Sequence, residues 1–196
     1  MELCFATNNK HKLEEVRFAV GGNFIILSLE DIHCFEELPE TRDTLEGNAL
    51  QKAEYVFDKY HVPCFADDSG LEVDALNGAP GVYSARYAGP QRDHNDNIDL
   101  LLKNLHGQPN RLAKFRTVIA LLGFNGKHLF DGAVDGQIIH TRKGTQGFGY
   151  DPVFVPKGYT QTFAEMSLAE KNTLSHRAKA IAKLVAFLNK PQFIQQ

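Results

Sequence analysis

The chain has 196 residues, of which 43% are hydrophobic and 23% are charged, and its formal charge is −3 at pH 7. This length is usual for one domain, or for one domain with two lobes, and the composition excludes a fibre and a disordered linker. The slightly acidic balance gives no basic footprint for a nucleic-acid polymer, and no apolar run approaches the roughly 18 residues that span a membrane. No secretory signal is visible in the first residues, so we expect a single domain over residues 1–196 in the cytoplasm.

The first predicted elements are a strand over residues 3–6 and a helix that begins near Lys10 and ends at Gly21 and Gly22. A polar, cationic turn lies between them and consists of Thr7, Asn8, Asn9, Lys10, His11 and Lys12. A strand that turns into a helix offers free backbone N–H groups and the positive end of the helix dipole, so this turn is a candidate anion site. It lacks the glycine-rich pattern of a P-loop, and the alternative is a solvated basic first turn.

A second buried strand is predicted over residues 24–27, and a helix runs from the capping box Asp43-x-x-Glu46 to about residue 60. Asn48 and Lys52 lie one turn apart on this helix, a spacing that is also typical of a solvated face. Glu40 stands just before the helix. It is either a surface glutamate or a carboxylate that shares a metal ion with acids further along the chain.

Two adjacent carboxylates stand in the stretch Asp67-Asp68-Ser69-Gly70, between strands predicted over residues 62–66 and 71–76. Taken alone, these residue types predict a turn, because they bond to their own backbone and tolerate tight dihedral angles. The alternative is a metal and catalytic site. Two adjacent carboxylates repel each other, which raises one pKa and favours the capture of a cation.

The second half of the chain is predicted to contain a helix over residues 95–105 and two strands, at 115–124 and 129–139, joined by the hairpin signal Asn125-Gly126. A glycine-rich loop with two aromatic residues follows over residues 142–151. The capping box Ser167-x-x-Glu170 precedes a final helix that begins near residue 175. His176 and Arg177 lie in its first turn, where the dipole disfavours added positive charge, and this indicates an anionic or keto-bearing partner.

Five segments stand in order along nearly the whole chain: Ala6–Lys10, Ala66–Gly70, Gly78–Tyr87, Phe148–Pro152 and Ser175–Arg177. Their content and order resemble the inosine triphosphate pyrophosphatase family of Ham1-like enzymes, which remove deaminated purine nucleoside triphosphates. Tyr150 stands where eukaryotic relatives tend to have tryptophan, so the chain is similar to the bacterial branch, the dITP/XTP pyrophosphatase type. His11 departs from the glycine that is frequent at its position, which concerns the shape of the phosphate turn.

The resemblance implies a Mg²⁺-dependent hydrolase that cleaves ITP, dITP and XTP between the α- and β-phosphates and releases the monophosphate and pyrophosphate. Asp68 would accept the proton of the attacking water and would hold Mg²⁺ together with Glu40, with Asp67 as a further candidate ligand. The phosphates would be bound by the turn and by residues near it: Thr7, Asn8, Asn9, Lys10, His11, Lys12, Lys52 and Ser69.

The base end of the substrate would be read by hydrogen-bond donors, because hypoxanthine and xanthine carry a keto group at position 6 where adenine carries an amine. Arg177 offers only donors and would pair with this keto group. Phe148 would stack on the ring, and the remaining residues implied at the substrate are Gly149, Tyr150, Asp151, Lys171 and His176. Guanine also has the keto group, so this argument leaves the exclusion of GTP unexplained.

The fold that the resemblance implies is α/β, with three layers (α/β/α), a mixed twisted sheet, two lobes and a central nucleotide cleft. The family is usually homodimeric, and we therefore expect a homodimer with no nucleic-acid polymer or membrane as partner. Two rival functions stay open. One is a nucleotide-binding regulator that does not turn over its ligand, and the other is a pyrophosphatase for other nucleotides, such as modified pyrimidines.

Overall fold

The computed structural model describes residues 2–20 and 24–191. The strands in these ranges are β1 (Glu2–Phe5), β2 (Ile25–Leu27), β3 (Cys64–Val73), β4 (Pro80–Gly81), β5 (Leu112–Leu122), β6 (Lys127–Ile138) and β7 (Phe154–Pro156). The α-helices are α1 (Lys10–Val20), α2 (Leu45–Tyr60), α3 (His94–Asn104), α4 (Leu168–Leu174) and α5 (His176–Leu188). The helix end predicted at Gly21 and Gly22 lies outside the described residues.

The strands form one mixed sheet in the order β2-β1-β3-β5-β6-β7, and β4 pairs with β3. β1 runs parallel to both β2 and β3, whereas the pairs β3/β4 and β6/β7 are antiparallel. β1 and β2 are joined through α1, because parallel neighbours need a crossover connection. The predicted α/β fold with a mixed sheet is therefore confirmed. No helix in the described ranges is long and apolar enough to cross a membrane.

The described chain divides into two compact units. Unit 1 contains residues 2–20, 24–68, 117–132 and 177–191, and unit 2 contains residues 69–116 and 133–176.

The core of unit 1 is built from α1, α5 and the strands beside them. α5 contributes buried apolar side chains at helical spacing: Ala180, Ile181, Leu184 and Leu188. Phe5 of β1 and Phe65 of β3 stack in the same core, with ring centroids 4.6 Å apart. The other face of β3 meets α2, because the Cys64 thiol lies 3.3 Å from the carbonyl oxygen of Ala53. The first half of β3 is thus buried on both faces.

The core of unit 2 gathers apolar residues of α3 around the second halves of β3 and β6. Ile98, Leu101 and Leu105 are buried at helical spacing, and they belong to one cluster with Leu71 and Val73. Three of its aromatic residues pack in edge, stacked and tilted contacts: Phe115, Phe154 and Phe163. The helix predicted over residues 95–105 and the strands predicted over 115–124 and 129–139 are confirmed by α3, β5 and β6.

The turn predicted at Asp67-Asp68-Ser69-Gly70 is wrong. All four residues lie inside β3, which runs unbroken from Cys64 to Val73. Parallel pairing with β1 and antiparallel pairing with β4 override the local turn preference. Gly70 is required by this pairing, because a Cβ there would lie 2.5 Å from the carbonyl oxygen of Gly81. The strand predicted over residues 71–76 ends at Val73, and Asp74–Leu76 is a 3₁₀ turn.

Two details of the first half also differ from prediction. The strand at 24–27 is not buried throughout, since Ile25 is 58% exposed and only Ile26 is buried. The capping box at Asp43-x-x-Glu46 is wrong, because α2 begins one residue later: the N-cap is Thr44, whose hydroxyl accepts from the Gly47 amide. The second predicted box is confirmed, with Ser167 as N-cap of α4 and Glu170 bonding back to it.

The position of this cap gives a direct test of the start of α2. Thr44→Ala is expected to lower the free energy of unfolding by about 1 kcal/mol, because one amide of the first turn loses its acceptor. Asp43→Ala serves as the matched control and should change it by less than about 0.5 kcal/mol. Urea denaturation measures both values. A larger loss for Asp43→Ala than for Thr44→Ala would contradict the cap seen in the structure.

Candidate active site

The turn between β1 and α1 lies where the sequence predicts it, but two of its backbone amides bond to side chains of the turn itself. The Thr7 hydroxyl accepts from the Asn9 amide at 3.2 Å, and the Asn9 side-chain oxygen accepts from the Lys12 amide at 3.1 Å. Asn9 thus satisfies the first turn of α1 as an N-cap residue does. Lys10 and His11 are exposed, and the His11 ring lies 3.9 Å from Glu14. The helix end faces solvent with its basic residues around it.

Asp67 and Asp68 point to opposite faces of β3, because successive side chains alternate along a strand. Asp67 shares the face of Phe65, which packs with α1 and α5, and Asp68 shares the face of Cys64, which packs with α2. The two adjacent carboxylates therefore have different neighbours and can have different roles.

Asp67 is the centre of a buried ion cluster, the Asp67 cluster, which consists of Lys12, Glu15, Asp67 and Arg177. The Lys12 ammonium donates to Oδ1 of Asp67 at 2.9 Å, and Arg177 Nε donates to Oδ2 at 3.1 Å. Arg177 also donates through Nη1 to Glu15. Asp67 and Arg177 are 1% and 2% exposed. Two cations and two anions balance in this cluster, which favours the role of an anchor over that of a metal ligand for Asp67.

The electrostatics of this cluster follow from its pairing. Burial opposes ionisation of Asp67, but the charges of Lys12 and Arg177 outweigh it and hold the pKa of that carboxyl well below its usual range. Burial likewise works against the charge of Arg177, and the carboxylates of Glu15 and Asp67 raise its pKa. Burial lowers the pKa of the Lys12 ammonium. Asp67 and Arg177 are thus charged at neutral pH.

Asp68 is the centre of a second group, the Asp68 cluster, which consists of Glu40, Asn48, Lys52 and Asp68. The Asn48 side-chain nitrogen donates to Oδ2 of Asp68 at 3.1 Å, and the Lys52 ammonium lies 3.6 Å from Oδ1. The same ammonium donates to Glu40 at 2.6 Å. Asn48 and Lys52, one turn apart on α2, thus face a buried strand, and the solvated-face alternative for this pair is wrong.

Charge does not balance among these four residues, since two carboxylates face one ammonium. Burial raises the pKa of Asp68, and Lys52 counteracts this only in part. Burial would lower the pKa of Lys52, but Asp68 and Glu40 outweigh it and raise that pKa. A buried carboxylate with a raised pKa is a stronger proton acceptor than an exposed one, so Asp68 is a candidate general base.

Oxygen ligands and the excess negative charge make the Asp68 cluster suitable for a hard divalent cation. No group of three or more His, Cys, Asp or Glu side chains placed to hold a metal ion occurs within residues 2–20 and 24–191. Mg²⁺ is commonly bound through one or two carboxylates, with waters and substrate phosphates as its other ligands. The pair of Glu40 and Asp68 therefore fits Mg²⁺ chemically.

The predicted residues of unit 2 form a separate group around Asp151. Oδ2 of Asp151 accepts from the Phe148 amide at 2.9 Å and from the Lys171 ammonium at 2.7 Å. A Cβ at Gly147, where φ is +75°, would lie 2.1 Å from the same oxygen, so glycine is needed there. Tyr150 is buried and donates to the carbonyl oxygen of Ser84 at 2.9 Å. Asp151 and Tyr150 thus hold the glycine-rich loop in place.

Phe148 is the partly exposed aromatic residue of this loop. The Lys171 ammonium lies 5.2 Å from its ring centroid, and the His94 ring lies 6.3 Å away. His176 is 4% exposed and stacks on Phe115, with ring centroids 4.7 Å apart. Ser69 is half-buried in β3. The loop therefore presents one aromatic face beside a buried cation.

The Ham1 family model matches residues 3–187. The chain belongs to the Ham1 family. A Flavobacterium johnsoniae protein named dITP/XTP pyrophosphatase is 54% identical over 188 residues, which cover 96% of this chain and 98% of that protein. A Porphyromonas gingivalis protein of the same name is also 54% identical, over 95% of this chain and 97% of its own length. The family resemblance read from the five motifs is thus confirmed.

Solved structures of this family share the fold. The Staphylococcus aureus Ham1 protein has a TM-score of 0.87 and 38% identity, covering 96% of this chain and 98% of its own. A HAM1 protein from Coxiella burnetii has the same TM-score with 34% identity and the same coverage.

Two residues of the Asp67 and Asp68 clusters, Glu15 and Asn48, are not among the predicted site residues. Glu15 is 4% exposed and binds Arg177, 162 positions away along the chain. Its sequence signal is weak: it lies three residues after Lys12 and so on the same side of α1. Asn48 was visible as the neighbour of Lys52, but nothing local indicates that its amide contacts Asp68.

Proposed function

We propose that this protein hydrolyses deaminated purine nucleoside triphosphates, namely dITP, ITP and XTP, to the monophosphate and pyrophosphate. One observation carries the proposal: a buried carboxylate, Asp68, lies between an amide donor and an ammonium that also binds Glu40. The names of the relatives, dITP/XTP pyrophosphatase, support the choice of substrate.

In the proposed reaction Asp68 accepts the proton of the water that attacks phosphorus. Lys52 stabilises the negative charge that develops on the phosphate oxygens, and Lys10 and Lys12 add positive charge at the start of α1. Side chains of the β1–α1 turn (Thr7, Asn8, Asn9 and His11) donate to the remaining phosphate oxygens, because the Thr7 and Asn9 amides already donate to the Phe5 carbonyl and the Thr7 hydroxyl. Ser69, next to Asp68 in β3, contributes its hydroxyl to the substrate.

Glu40 and Asp68 are the residues that would hold Mg²⁺. When bound there, the ion would polarise a phosphoryl oxygen and neutralise part of the triphosphate charge. The charge imbalance of the Asp68 cluster supports this assignment, because an excess of negative charge favours the binding of a cation.

At the base end, we propose that Phe148 stacks on the purine and that donors from Lys171, His176 and Arg177 bind the keto group at position 6. Donors directed at this position favour hypoxanthine and xanthine over adenine, whose amine is itself a donor. Arg177 also bonds Asp67 and Glu15. Its replacement would therefore disturb the Asp67 cluster as well as base recognition, and Phe148 offers the cleaner test.

Phe148→Ala is expected to raise KM for dITP at least about fivefold, because stacking on an aromatic side chain contributes about 1–3 kcal/mol per base. Phe148→Trp should keep KM near the wild-type value. Tyr159→Ala is a matched control, since Tyr159 is 49% exposed in the same unit and should leave KM unchanged. An unchanged KM in Phe148→Ala would exclude the stacking role.

The reaction itself is tested by incubating the protein with dITP and Mg²⁺ and separating the products. We expect dIMP and pyrophosphate; dIDP with orthophosphate would overturn the proposal. Rates for ITP, XTP, GTP, ATP and dUTP distinguish this activity from a pyrophosphatase for other nucleotides, and binding without turnover would identify a regulator. The resemblance also supports a homodimer in the cytoplasm, which sedimentation and fractionation would test.

A further inference from the structure

A buried amide on α2 connects Asp68 to the segment that follows Glu40. Asn48 is 1% exposed, and its side chain makes two hydrogen bonds in opposite directions. Its oxygen accepts from the Arg42 backbone amide at 2.9 Å, and its nitrogen donates to Oδ2 of Asp68 at 3.1 Å. Arg42 belongs to the segment that follows Glu40, and Asp68 belongs to β3.

The orientation of this amide is set by its partners. A backbone N–H can only donate, so the Asn48 oxygen must face Arg42, and the nitrogen must then face Asp68. A rotated amide would place its oxygen against a carboxylate oxygen and its nitrogen against the Arg42 N–H. Both contacts would be repulsive at a site without solvent to replace them. The donor is therefore held towards Asp68.

The same face of α2 also holds the segment that carries Glu40. Gln51 bonds Thr41 twice, accepting from its amide at 3.0 Å and donating to its hydroxyl at 2.9 Å. Lys52 bonds Glu40. Positions 48, 51 and 52 follow helical spacing, and they hold residues 42, 41 and 40 in reverse order. A single rigid helix thus places Glu40 relative to Asp68.

We propose that Asn48 is a positioning residue for the reaction, a role that rests on the proposed function of Asp68. Its donor engages Oδ2 of Asp68, so that Oδ1, the oxygen on the side of Lys52, is directed to the attacking water. Because Asn48 acts through Asp68, its loss lowers kcat and leaves substrate affinity largely intact. A misplacement of about 1 Å in a reacting group can cost about 100-fold in rate.

The test compares two replacements of Asn48 with two other variants of α2. Asn48→Asp keeps the shape and the acceptor for Arg42 but places an oxygen against Asp68; Asn48→Ala removes the donor without adding charge. Both are expected to lower kcat for dITP by about 100-fold at saturating Mg²⁺, with KM and the affinity for dIMP within about threefold of wild type. Binding of dIMP, measured by calorimetry, and thermal unfolding show that each variant is folded.

The controls distinguish an effect on the orientation of Asp68 from an effect on the position of the Glu40 segment and from an effect on the stability of α2. Glu54, also on α2, forms a partly exposed ion pair with Lys127 of β6, and Glu54→Gln, which removes this pair, should leave kcat unchanged. Gln51→Ala loosens the Thr41 segment while keeping the donor to Asp68, and should lose less than tenfold. A loss in Gln51→Ala equal to that in Asn48→Ala would overturn the inference, as would full kcat in either folded Asn48 variant. If the wild-type protein releases no pyrophosphate from dITP, the proposed function itself is wrong, and this outcome is distinct from full kcat in an Asn48 variant.

Discussion

Asp68→Asn is expected to lower kcat for dITP hydrolysis by about 10²–10⁴-fold, the range that one general base contributes. Asp68 is 8% exposed, and asparagine has nearly the same shape as aspartate, so the fold should tolerate the replacement. It removes the proton-accepting charge and one of two proposed metal ligands. Product release measured at increasing Mg²⁺ separates these effects, because a metal-affinity defect is overcome by added Mg²⁺ whereas a lost base is not.

Binding of dIMP should remain within a few-fold of wild type in Asp68→Asn, since the phosphate and base contacts are kept. Asp74→Asn is the matched control. It makes the same chemical change six residues later, at an exposed position of the 3₁₀ turn after β3, and should leave kcat unchanged. Turnover within tenfold of wild type in Asp68→Asn would exclude Asp68 as the base and would favour a water activated elsewhere.

The role of Asp68 depends on a structural feature that its local sequence does not predict. Asp-Asp-Ser-Gly is a turn composition, and no periodicity indicates that two aspartates can lie in the middle of a buried strand. They can do so because cations from distant positions neutralise them: Lys12 and Arg177 on one face, Lys52 on the other. These partners are brought together by the packing of α1, α2 and α5 against β3, which is a tertiary effect.

Other parts of the fold could be predicted because their signals are local. The β1–α1 turn, the capping box at Ser167 and the start of α5 near His176 follow from residue type and spacing within a few positions. The family resemblance then implies Lys52 and Arg177 as site residues. Motifs did not reveal the contact between Asn48 and Asp68 or the partnership of Glu15 with Arg177, because both join residues of ordinary local appearance across 20 or more positions.

The other carboxylate of the pair should matter more for stability. Asp67→Asn is expected to lower the free energy of unfolding by about 3–5 kcal/mol at pH 7, because it leaves Lys12 and Arg177 buried with one carboxylate, Glu15, instead of two. Asp131→Asn is the matched control. Its pair with Lys183 is more than half exposed, and its loss should cost less than about 1 kcal/mol.

The pH dependence provides an independent check on the origin of this effect. The pKa of Asp67 is lower in the folded protein than its ordinary value of 3.8, since the charges of Lys12 and Arg177 outweigh burial. The stabilisation is therefore fully present above about pH 4 and is lost as the pH falls towards the folded pKa. Urea denaturation between pH 7 and about pH 2.5 should show the difference between wild type and Asp67→Asn shrinking below about pH 4. A difference that stays constant over this range would mean that Asp67 stabilises the fold by packing and not by its charge. That result would contradict the stabilising role of ion pairing in the Asp67 cluster.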